Sequence, residues 1–283
     1  MSEISLTYGV TTVNIPFPNM PYETIIDLPF DITRLDDGTI VIRDEGSKYD
    51  KRTCNLIIEL PADNNIYGSD VYLTQGELDT FLYSTSRGHD IVCSLPVSCS
   101  FTPFGPDKGD VGPFTLSAKY KDTPSIQQNP FKYFKCQMEW INTGSYPAYS
   151  LPTEVDDGLW TFGTITNLRM PVNMFTPSKK YDISVAFTEN STSRYFDRGT
   201  RGETHYSSFT MQCNQSKAAA ILYYLTNTVR TAQFSITPQD YYCIFGADHV
   251  SSASHNVYLA SPQIKVRAVN YNSYEIDLVL KKA

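Results

Sequence analysis

Two stretches of the chain, HDIVCSLPVSCSFTPFGPD (residues 89–107) and RTAQFSITPQDYYCIFGAD (residues 230–248), align without a gap at an offset of 141 residues. Both end in the phrase Phe-Gly-x-Asp, and the offset is about half of the 283-residue chain. Such a spacing indicates an internal duplication. In each copy the glycine frees the backbone after an aromatic residue, and the aspartate can close a turn. We therefore predict two hairpin corners, made of Phe104, Gly105 and Asp107 and of Phe245, Gly246 and Asp248.

A short amphipathic helix is predicted before the corner in each half, at 74–86 and at 216–227. Thr74 and Glu77 have the spacing of a capping box, and Ser216 is the expected N-cap of the second helix. Apolar residues recur at helical spacing along one face of each helix. These residues are Leu78, Phe81 and Leu82 in the first helix and Ala218, Ile221, Leu222 and Leu225 in the second.

Each half ends in a strand with a period of two, which is typical of a half-buried strand. The inward residues are Phe134, Cys136, Met138 and Trp140 in the first half and Tyr274, Ile276, Leu278 and Leu280 in the second. Earlier in the chain, DDGTIVI (36–42) aligns with DDGLWTF (156–162), and CNLIIEL (54–60) with ISVAFTE (183–189). The offset thus grows along the chain, which predicts about 21 extra residues in the second half, largely in an enlarged loop at 188–208.

The predicted fold is mostly β, with two tandem β-sandwich or partial-barrel modules that each carry one short helix. Gly144, Pro147 and Pro152 interrupt any regular strand between the halves. We therefore expect module 1 at 1–145, a linker at 146–152 and module 2 at 153–283.

The composition is that of a folded chain, with 13% aromatic and 19% charged residues. A net charge of −7 without a basic patch argues against a protein that holds nucleic acid by its phosphates. No stretch approaches 18 apolar residues and the N-terminus has no signal-peptide pattern, so we expect a protein made in a cytoplasm, without membrane insertion. Its six cysteines are then expected to be free thiols.

No constellation of residues points to an enzyme, a metal site or a cofactor. The cysteines and the four histidines lack zinc-ligand spacing, and the chain has neither a GxSxG nor an HExxH motif. The acidic pairs before Gly38 and Gly158 are typical of turns. We expect no catalytic residues, no metal and no cofactor.

Charge is distributed unevenly between the halves: residues 1–150 carry a net −8 and residues 151–283 a net +1. The predicted enlarged loop holds three arginines, whose guanidinium groups form forked bonds with carboxylates. We predict that an acidic half of one chain meets the less acidic half of a neighbouring chain. The candidate contact residues are Arg194, Arg198 and Arg201.

The order of elements resembles that of tail proteins of long-tailed bacteriophages, a group that includes tail-tube, distal-tail and baseplate-hub proteins. The resemblance rests on ELDTFLYSTSRGHDIVCSLP, a helix ending in Ser-Arg-Gly before a strand, and on FTPFGPDKGDVGPFTLSAKYKD, an aromatic-glycine hairpin and a strand. It covers both halves in outline and residues 74–140 best. The second half departs from it, because YLTNTVRTAQ has no Arg-Gly after the helix.

The resemblance implies a structural virion protein, assembled in the host cytoplasm, that forms part of the tail. Six tube-like modules would surround a channel, so that three chains with two modules each complete a trimeric, hexamer-like ring. The expected partners are further copies of the chain and other tail proteins, while DNA passes through the channel without specific binding. An acidic channel wall would repel phosphates.

A second interpretation is a carbohydrate- or receptor-binding pair of β-sandwich domains on a virion. Exposed aromatic residues would support it, and the candidates are Tyr146, Tyr149, Tyr241 and Tyr242. A ring protein is expected to form trimers or polymers, whereas such a binding protein can remain a monomer or dimer.

Overall fold

A computed structural model describes most of the chain: residues 3–34, 40–46, 50–62, 73–96, 101–108, 113–128, 132–145, 160–168, 175–180, 183–187, 193–197, 204–238, 244–246, 254–270 and 272–283. These residues are mostly in antiparallel strands, with two short helices. The predicted mostly-β fold class is confirmed. The predicted linker at 146–152 lies outside the described residues.

In the first half the described strands are β1 (Ile4–Tyr8), β2 (Thr11–Ile15), β3 (Asn19–Asp27), β4 (Phe30–Arg34), β5 (Ile40–Asp44), β6 (Lys51–Pro61), β7 (Ile91–Ser94), β8 (Phe114–Tyr120), β9 (Ser125–Gln128) and β10 (Lys132–Asn142). Helix α1 (Gln75–Asp79) continues as a π-helical turn (Thr80–Thr85), and a 3₁₀ turn spans Pro106–Lys108.

In the second half they are β11 (Trp160–Phe162), β12 (Ile165–Leu168), β13 (Thr176–Lys180), β14 (Ile183–Phe187), β15 (Ser193–Asp197), β16 (Thr204–Cys213), β17 (Phe234–Thr237), β18 (His255–Leu259), β19 (Gln263–Asn270) and β20 (Ser273–Lys282). Helix α2 (Gln215–Tyr223) also continues as a π-helical turn (Tyr224–Val229).

The two halves pair their strands in the same order. In the first half β6 lies on one side of β10, and β8 and β9 lie on the other; β16, β18 and β19 take these places around β20. Strand β3 flanks β6 as β13 flanks β16, and the branch β8-β7-β1-β2 matches β18-β17-β11-β12. The hairpins β4–β5 and β14–β15 stand apart from the main sheet in both halves. We call strands in matching places counterparts.

The main sheet runs through both halves without a break because β3 of the first half pairs with β19 of the second. A run of eight strands, which we call the ribbon, crosses the molecule in the order β13-β16-β20-β19-β3-β6-β10-β9. Each half contributes four of these strands. Strands β3 and β19 lie at the middle of the ribbon, and their respective counterparts, β13 and β9, lie at its two ends.

Residue matches between counterparts correct the alignment made from the sequence. The pair Leu60–Phe134 across β6 and β10 matches Cys213–Tyr274 across β16 and β20, which is an offset of 153 for β6. Strand β11 therefore corresponds to β1, not to residues 36–42, and β14 corresponds to β4, not to residues 54–60. Those two alignments were wrong because short runs of alternating apolar residues resemble one another in any strand.

The predicted enlarged loop at 188–208 is also wrong in its described parts. Residues 193–197 form β15, and residues from 204 onward form β16, which enters the main sheet. The hairpins β4–β5 and β14–β15 have connections of equal length. It is the first half that is longer, because 13 residues separate β6 from α1 while one residue, Asn214, separates β16 from α2.

Both predicted helices are confirmed, with one change of cap. Thr74 accepts a hydrogen bond from the backbone amide of Glu77, whose side chain accepts one from the Thr74 amide, so the capping box is present. The second helix is capped by Asn214, which accepts from the Lys217 amide, rather than by Ser216. The residues predicted for the apolar faces of both helices are buried. The π-helical turns were not predicted.

One face of the sheet is apolar and buried, and the alternation predicted for the last strand of each half is confirmed. On β10 Cys136, Met138 and Trp140 are buried and Phe134 is half-buried, and on β20 Tyr274, Ile276, Leu278 and Leu280 are buried. Together with the helix faces, these residues belong to one hydrophobic cluster. The opposite face of the ribbon carries mostly polar and charged side chains.

Candidate assembly interface

The first Phe-Gly-x-Asp phrase surrounds a buried ion pair. Phe104 is buried, and Gly105 has a φ of 99°, a left-handed conformation that favours glycine. The carboxylate of Asp107 accepts two hydrogen bonds of 2.6 Å from the guanidinium of Arg52, which also donates to the Phe104 carbonyl at 2.7 Å. Both side chains are at most 1% exposed. The aspartate therefore ties the turn to β6, a role different from the predicted closure of a local turn.

The second phrase lies in the same connection of its own half, between β17 and β18. Phe245 is buried and Gly246 has a φ of 102°. Asp248 lies outside the described residues. His205 holds the position on β16 that Arg52 holds on β6, so the second half lacks an arginine there.

The first phrase lies where the two halves of the chain meet. A Cβ on Gly105 would lie 3.7 Å from the Leu222 side chain of α2, and α2 packs against the 3₁₀ turn. The Thr102 hydroxyl contacts the hydroxyls of Tyr22 in β3 and Tyr274 in β20, at 3.3 and 2.9 Å. Burial and the neighbouring Tyr274 raise the pKa of Tyr22. The first corner is thus part of the contact between the halves.

A second ion-pair cluster, the Arg230 clamp, joins the halves beside β3 and β19. It consists of Arg230, just after the π-turn of α2, and two carboxylates of the first half, Asp44 and Asp50. Arg230 donates to both oxygens of Asp44 at 2.8 and 2.9 Å and, through Nη1, to both oxygens of Asp50 at 2.9 and 3.0 Å. The arginine and Asp50 side chains are 12% and 10% exposed. Charge-assisted bonds of this kind are among the stronger ones in proteins.

The two carboxylates of the Arg230 clamp differ in their protonation energetics. The hydrogen bonds from Arg230 lower the pKa of Asp44. Burial raises the pKa of Asp50, because the cost of desolvating the carboxylate outweighs its bond to Arg230. The surroundings therefore favour the charged form of Asp44 and disfavour that of Asp50, although Arg230 binds both.

Arg87 stands in the first half where Arg230 stands in the second. Each arginine follows a π-helical turn, lies four residues before the next strand and has a positive φ, 50° for Arg87 and 37° for Arg230. The Arg87 side chain is exposed, and its Nε donates to the nearby Ser84 carbonyl at 3.3 Å. The sequence alignment at an offset of 141 missed this match, which requires an offset of 143.

The position of Asp44 also has a counterpart. Asp44 ends β5 opposite Phe30, and Asp197 ends β15 opposite Ile183, in hairpins of identical register. In the sequence, Glu203 directly precedes β16 as Asp50 directly precedes β6. Arginine and acid thus recur in both halves, whereas the described clamp joins the arginine of the second half to the acids of the first.

The three arginines predicted as contact residues are only partly described. Arg194 lies in β15, in register with Ala186 of β14. Arg198 and Arg201 lie outside the described residues. The structure brings another arginine of the second half, Arg230, onto acids of the first half, and does so within one chain. The signal that could have identified it is its fixed distance before the strand, shared with Arg87.

The uncovered face of the main sheet, opposite the hydrophobic cluster, has charges of both signs, and two ion pairs join neighbouring strands there. Lys119 lies 2.7 Å from Glu139, and Arg267 lies 3.2 Å from Glu275. The described strands therefore do not form a uniformly acidic wall. A groove of about 270 Å³ opens on this face beside the bulge in β3, lined in part by Glu23, Lys121 and Arg267.

Four described cysteines are buried, Cys54, Cys93, Cys136 and Cys213, and burial raises the pKa of Cys136 to about 11. Within the described ranges no three His, Cys, Asp or Glu residues cluster as metal ligands would. None of the helices in those ranges is long and apolar enough to cross a membrane. No protein-family model matches the chain, and no curated protein matches it either.

Proposed function

We propose that the protein is a structural, non-enzymatic component of a long-tailed bacteriophage tail, a tube-ring, distal-tail or hub protein. The chain is a tandem pair of modules, 1–145 and 153–283, and three copies form a ring of six modules. The ring is assembled in the host cytoplasm and contacts other tail proteins. The uncovered face of the ribbon lines a channel through which DNA passes.

The observation that carries this proposal is the placement of equivalent strands within one continuous ribbon. Each half supplies the same four strands in the same order, and the junction between halves is itself a strand pair, β3 with β19. A ribbon built from repeated units can be extended by further units through the same kind of junction. Three copies would contribute 24 ribbon strands around one opening, since each copy supplies eight.

The chemistry of the uncovered face supports passage of DNA without specific binding. Specific or tight binding requires a row of arginine or lysine side chains directed at phosphates. Arg267 of β19 is paired with Glu275 of β20 on this face, and beside the ribbon Lys119 of β8 is paired with Glu139 of β10. Such pairing leaves little net attraction for a polyanion.

The binding-protein interpretation finds less support. The tyrosines named for it, Tyr146, Tyr149, Tyr241 and Tyr242, lie outside the described residues. The groove on the uncovered face contains one aromatic residue, Tyr22, and that side chain is 2% exposed. Small-molecule sites generally present apolar and aromatic surface to the ligand.

The test is the mass and shape of the purified protein. Light scattering after size-exclusion chromatography is expected to give a species of about 96 kDa, three times the 31.9 kDa chain, or stacked multiples of it. Negative-stain images are expected to show rings with a central opening and six lobes. A monomer at every concentration up to the millimolar range, or particles without an opening, would contradict the proposal.

A further inference from the structure

We propose that a second copy of this chain docks onto the β9 end of the ribbon through its own β13 end, with Arg87 of one copy bound to Asp197 of the next. The proposed contact joins two chains in the same way as β3, β19 and the Arg230 clamp join the two halves of one chain. This inference rests on the self-assembly in the proposed function but not on a role in a phage tail.

The two edge strands of the ribbon, β9 and β13, are the counterparts of the two strands that pair at the internal junction, β19 and β3. Within the described ranges, β9 pairs with β10 alone and β13 pairs with β16 alone, whereas their counterparts β19 and β3 also pair with each other. An unpaired strand edge is a template for pairing with another chain. All five residues of β13 are exposed; Pro177 has no backbone N–H to donate, so a docked strand pairs with the other residues of β13.

One apolar side chain on β9 is exposed where its counterpart is buried. Ile126 is 56% exposed. Its counterpart Ala268 is 1% exposed and lies opposite Tyr22 across the junction. The same register between two copies places Ile126 opposite Phe175, the residue that precedes β13. Docking would therefore remove an exposed isoleucine from water.

The charges at the two ends of the ribbon are complementary in the same way as the charges at the internal junction. The half that supplies the inner β19 strand also supplies Arg230, and the half that supplies β3 supplies Asp44. At the ends of the ribbon, the half that supplies β9 supplies Arg87, and the half that supplies β13 has Asp197 at the position of Asp44. Arginine and acid thus lie on opposite ends, so copies associate head to tail and not by a twofold axis.

The experiment is a charge exchange measured by light scattering and sedimentation at several salt concentrations. We expect Arg87→Glu to raise the midpoint concentration for assembly at least tenfold, and Asp197→Lys to do the same. The double variant with both changes is expected to recover most of the loss. Lys265→Glu is the matched control, because it makes the same charge change at an exposed position of β19, in the middle of the ribbon and away from both of its ends.

Each outcome bears on a definite part of the inference. If the wild-type chain assembles and Arg87→Glu assembles as well as Lys265→Glu, the proposed contact is wrong and the ring proposal survives. If the two single variants are impaired and the double variant is not restored, the pairing of Arg87 with Asp197 is wrong. A wild-type chain that stays monomeric overturns both the contact and the proposed function. Circular dichroism and thermal midpoints confirm that each variant is folded.

Discussion

Arg87 and Arg230 both follow a π-helical turn and have a positive φ, but their side chains have different surroundings. This difference is the clearest feature of the molecule at the scale of single residues. Arg230 binds Asp44 and Asp50 across the junction, whereas the described side-chain bond of Arg87 runs to the carbonyl of Ser84 in its own turn. An L-residue with positive φ carries a backbone cost. A partner that fixes the side chain offsets this cost in the second half. In the first half that partner is proposed to come from another chain.

Arg230→Ala is expected to destabilise the chain by about 2 kcal/mol, because it removes charge-assisted bonds and leaves two partly buried carboxylates without their cation. Arg87→Ala is the matched control and should change the stability of the unassembled chain by less than about 0.5 kcal/mol. Urea unfolding at concentrations below assembly measures both. Equal losses for the two variants would show that the difference in surroundings has no energetic consequence.

The buried pair of Arg52 and Asp107 permits a second prediction. Asp107→Ala should cost about 3–5 kcal/mol, because the guanidinium stays buried without its counter-ion. Replacing both residues by apolar ones, as in Arg52→Met with Asp107→Leu, should cost clearly less than Asp107→Ala alone, since no charge is then left in the core. Chemical denaturation of the wild type, Asp107→Ala and the double variant measures the two losses. A double variant at least as unstable as Asp107→Ala would contradict this role of the pair.

At the scale of elements, much of the fold could be predicted from local patterns. The helix faces around Phe81 and Ile221, the capping box at Thr74 and the alternation in β10 and β20 are all present, because period and capping depend on neighbouring residues. The counterparts of the early strands were misaligned, because a period of two does not distinguish one strand from another. Only long-range pairing shows which strands are equivalent.

The candidate interface could not be predicted from local sequence patterns, for the same reason. An excess of acids in the first half and an arginine in the second could be read from the sequence, and the Arg230 clamp joins such groups. Which arginine takes part depends on the β3–β19 pairing, which brings together residues 180 or more positions apart. The predicted Arg194, Arg198 and Arg201 were chosen by their density in one segment, which carries no information about long-range contacts.

The two glycine corners give an element-scale prediction. Both Gly105 and Gly246 have φ near 100°, so alanine is strained at either position, by about 1–2 kcal/mol. At Gly105 a Cβ would also lie 2.9 Å from Arg52 Nη1 and Asp107 Oδ1, whereas at Gly246 the nearest atom is 3.9 Å away. Gly105→Ala should therefore lose about 1–2 kcal/mol more than Gly246→Ala. Thermal unfolding of both variants decides this, and an equal loss would mean that the buried ion pair shifts without cost.

At the scale of the whole molecule, the chain carries one complete junction inside and half of the same junction at each end of the ribbon. The inner strands β3 and β19 each have two neighbours, and the outer strands β9 and β13 have one each within the described residues. A single chain therefore cannot satisfy its own ends by the pairing it uses inside. Further copies, added in one direction, can pair with these ends. Closure into a ring would remove both edges of the ribbon, which would protect β9 and β13 from uncontrolled association.

Cross-linking between copies tests this repeated junction most directly. In the internal junction Arg267 lies opposite Glu23, and their counterparts at the ribbon ends are Ser125 and Thr176, both exposed. Opposed residues on antiparallel strands lie about 4.5–5.5 Å apart between Cα atoms, which suits a disulfide.

Chains carrying Ser125→Cys and chains carrying Thr176→Cys are therefore co-expressed, assembled and oxidised with copper phenanthroline. The predicted result is a disulfide-linked pair of chains of about 64 kDa on a non-reducing gel, twice the mass of one chain. Replacing Thr176→Cys by Lys179→Cys moves the partner cysteine by three residues, about 10 Å along the strand, and should abolish the product. Absence of the Ser125–Thr176 product in an assembled sample, or equal yield from the shifted pair, would contradict the repeated junction.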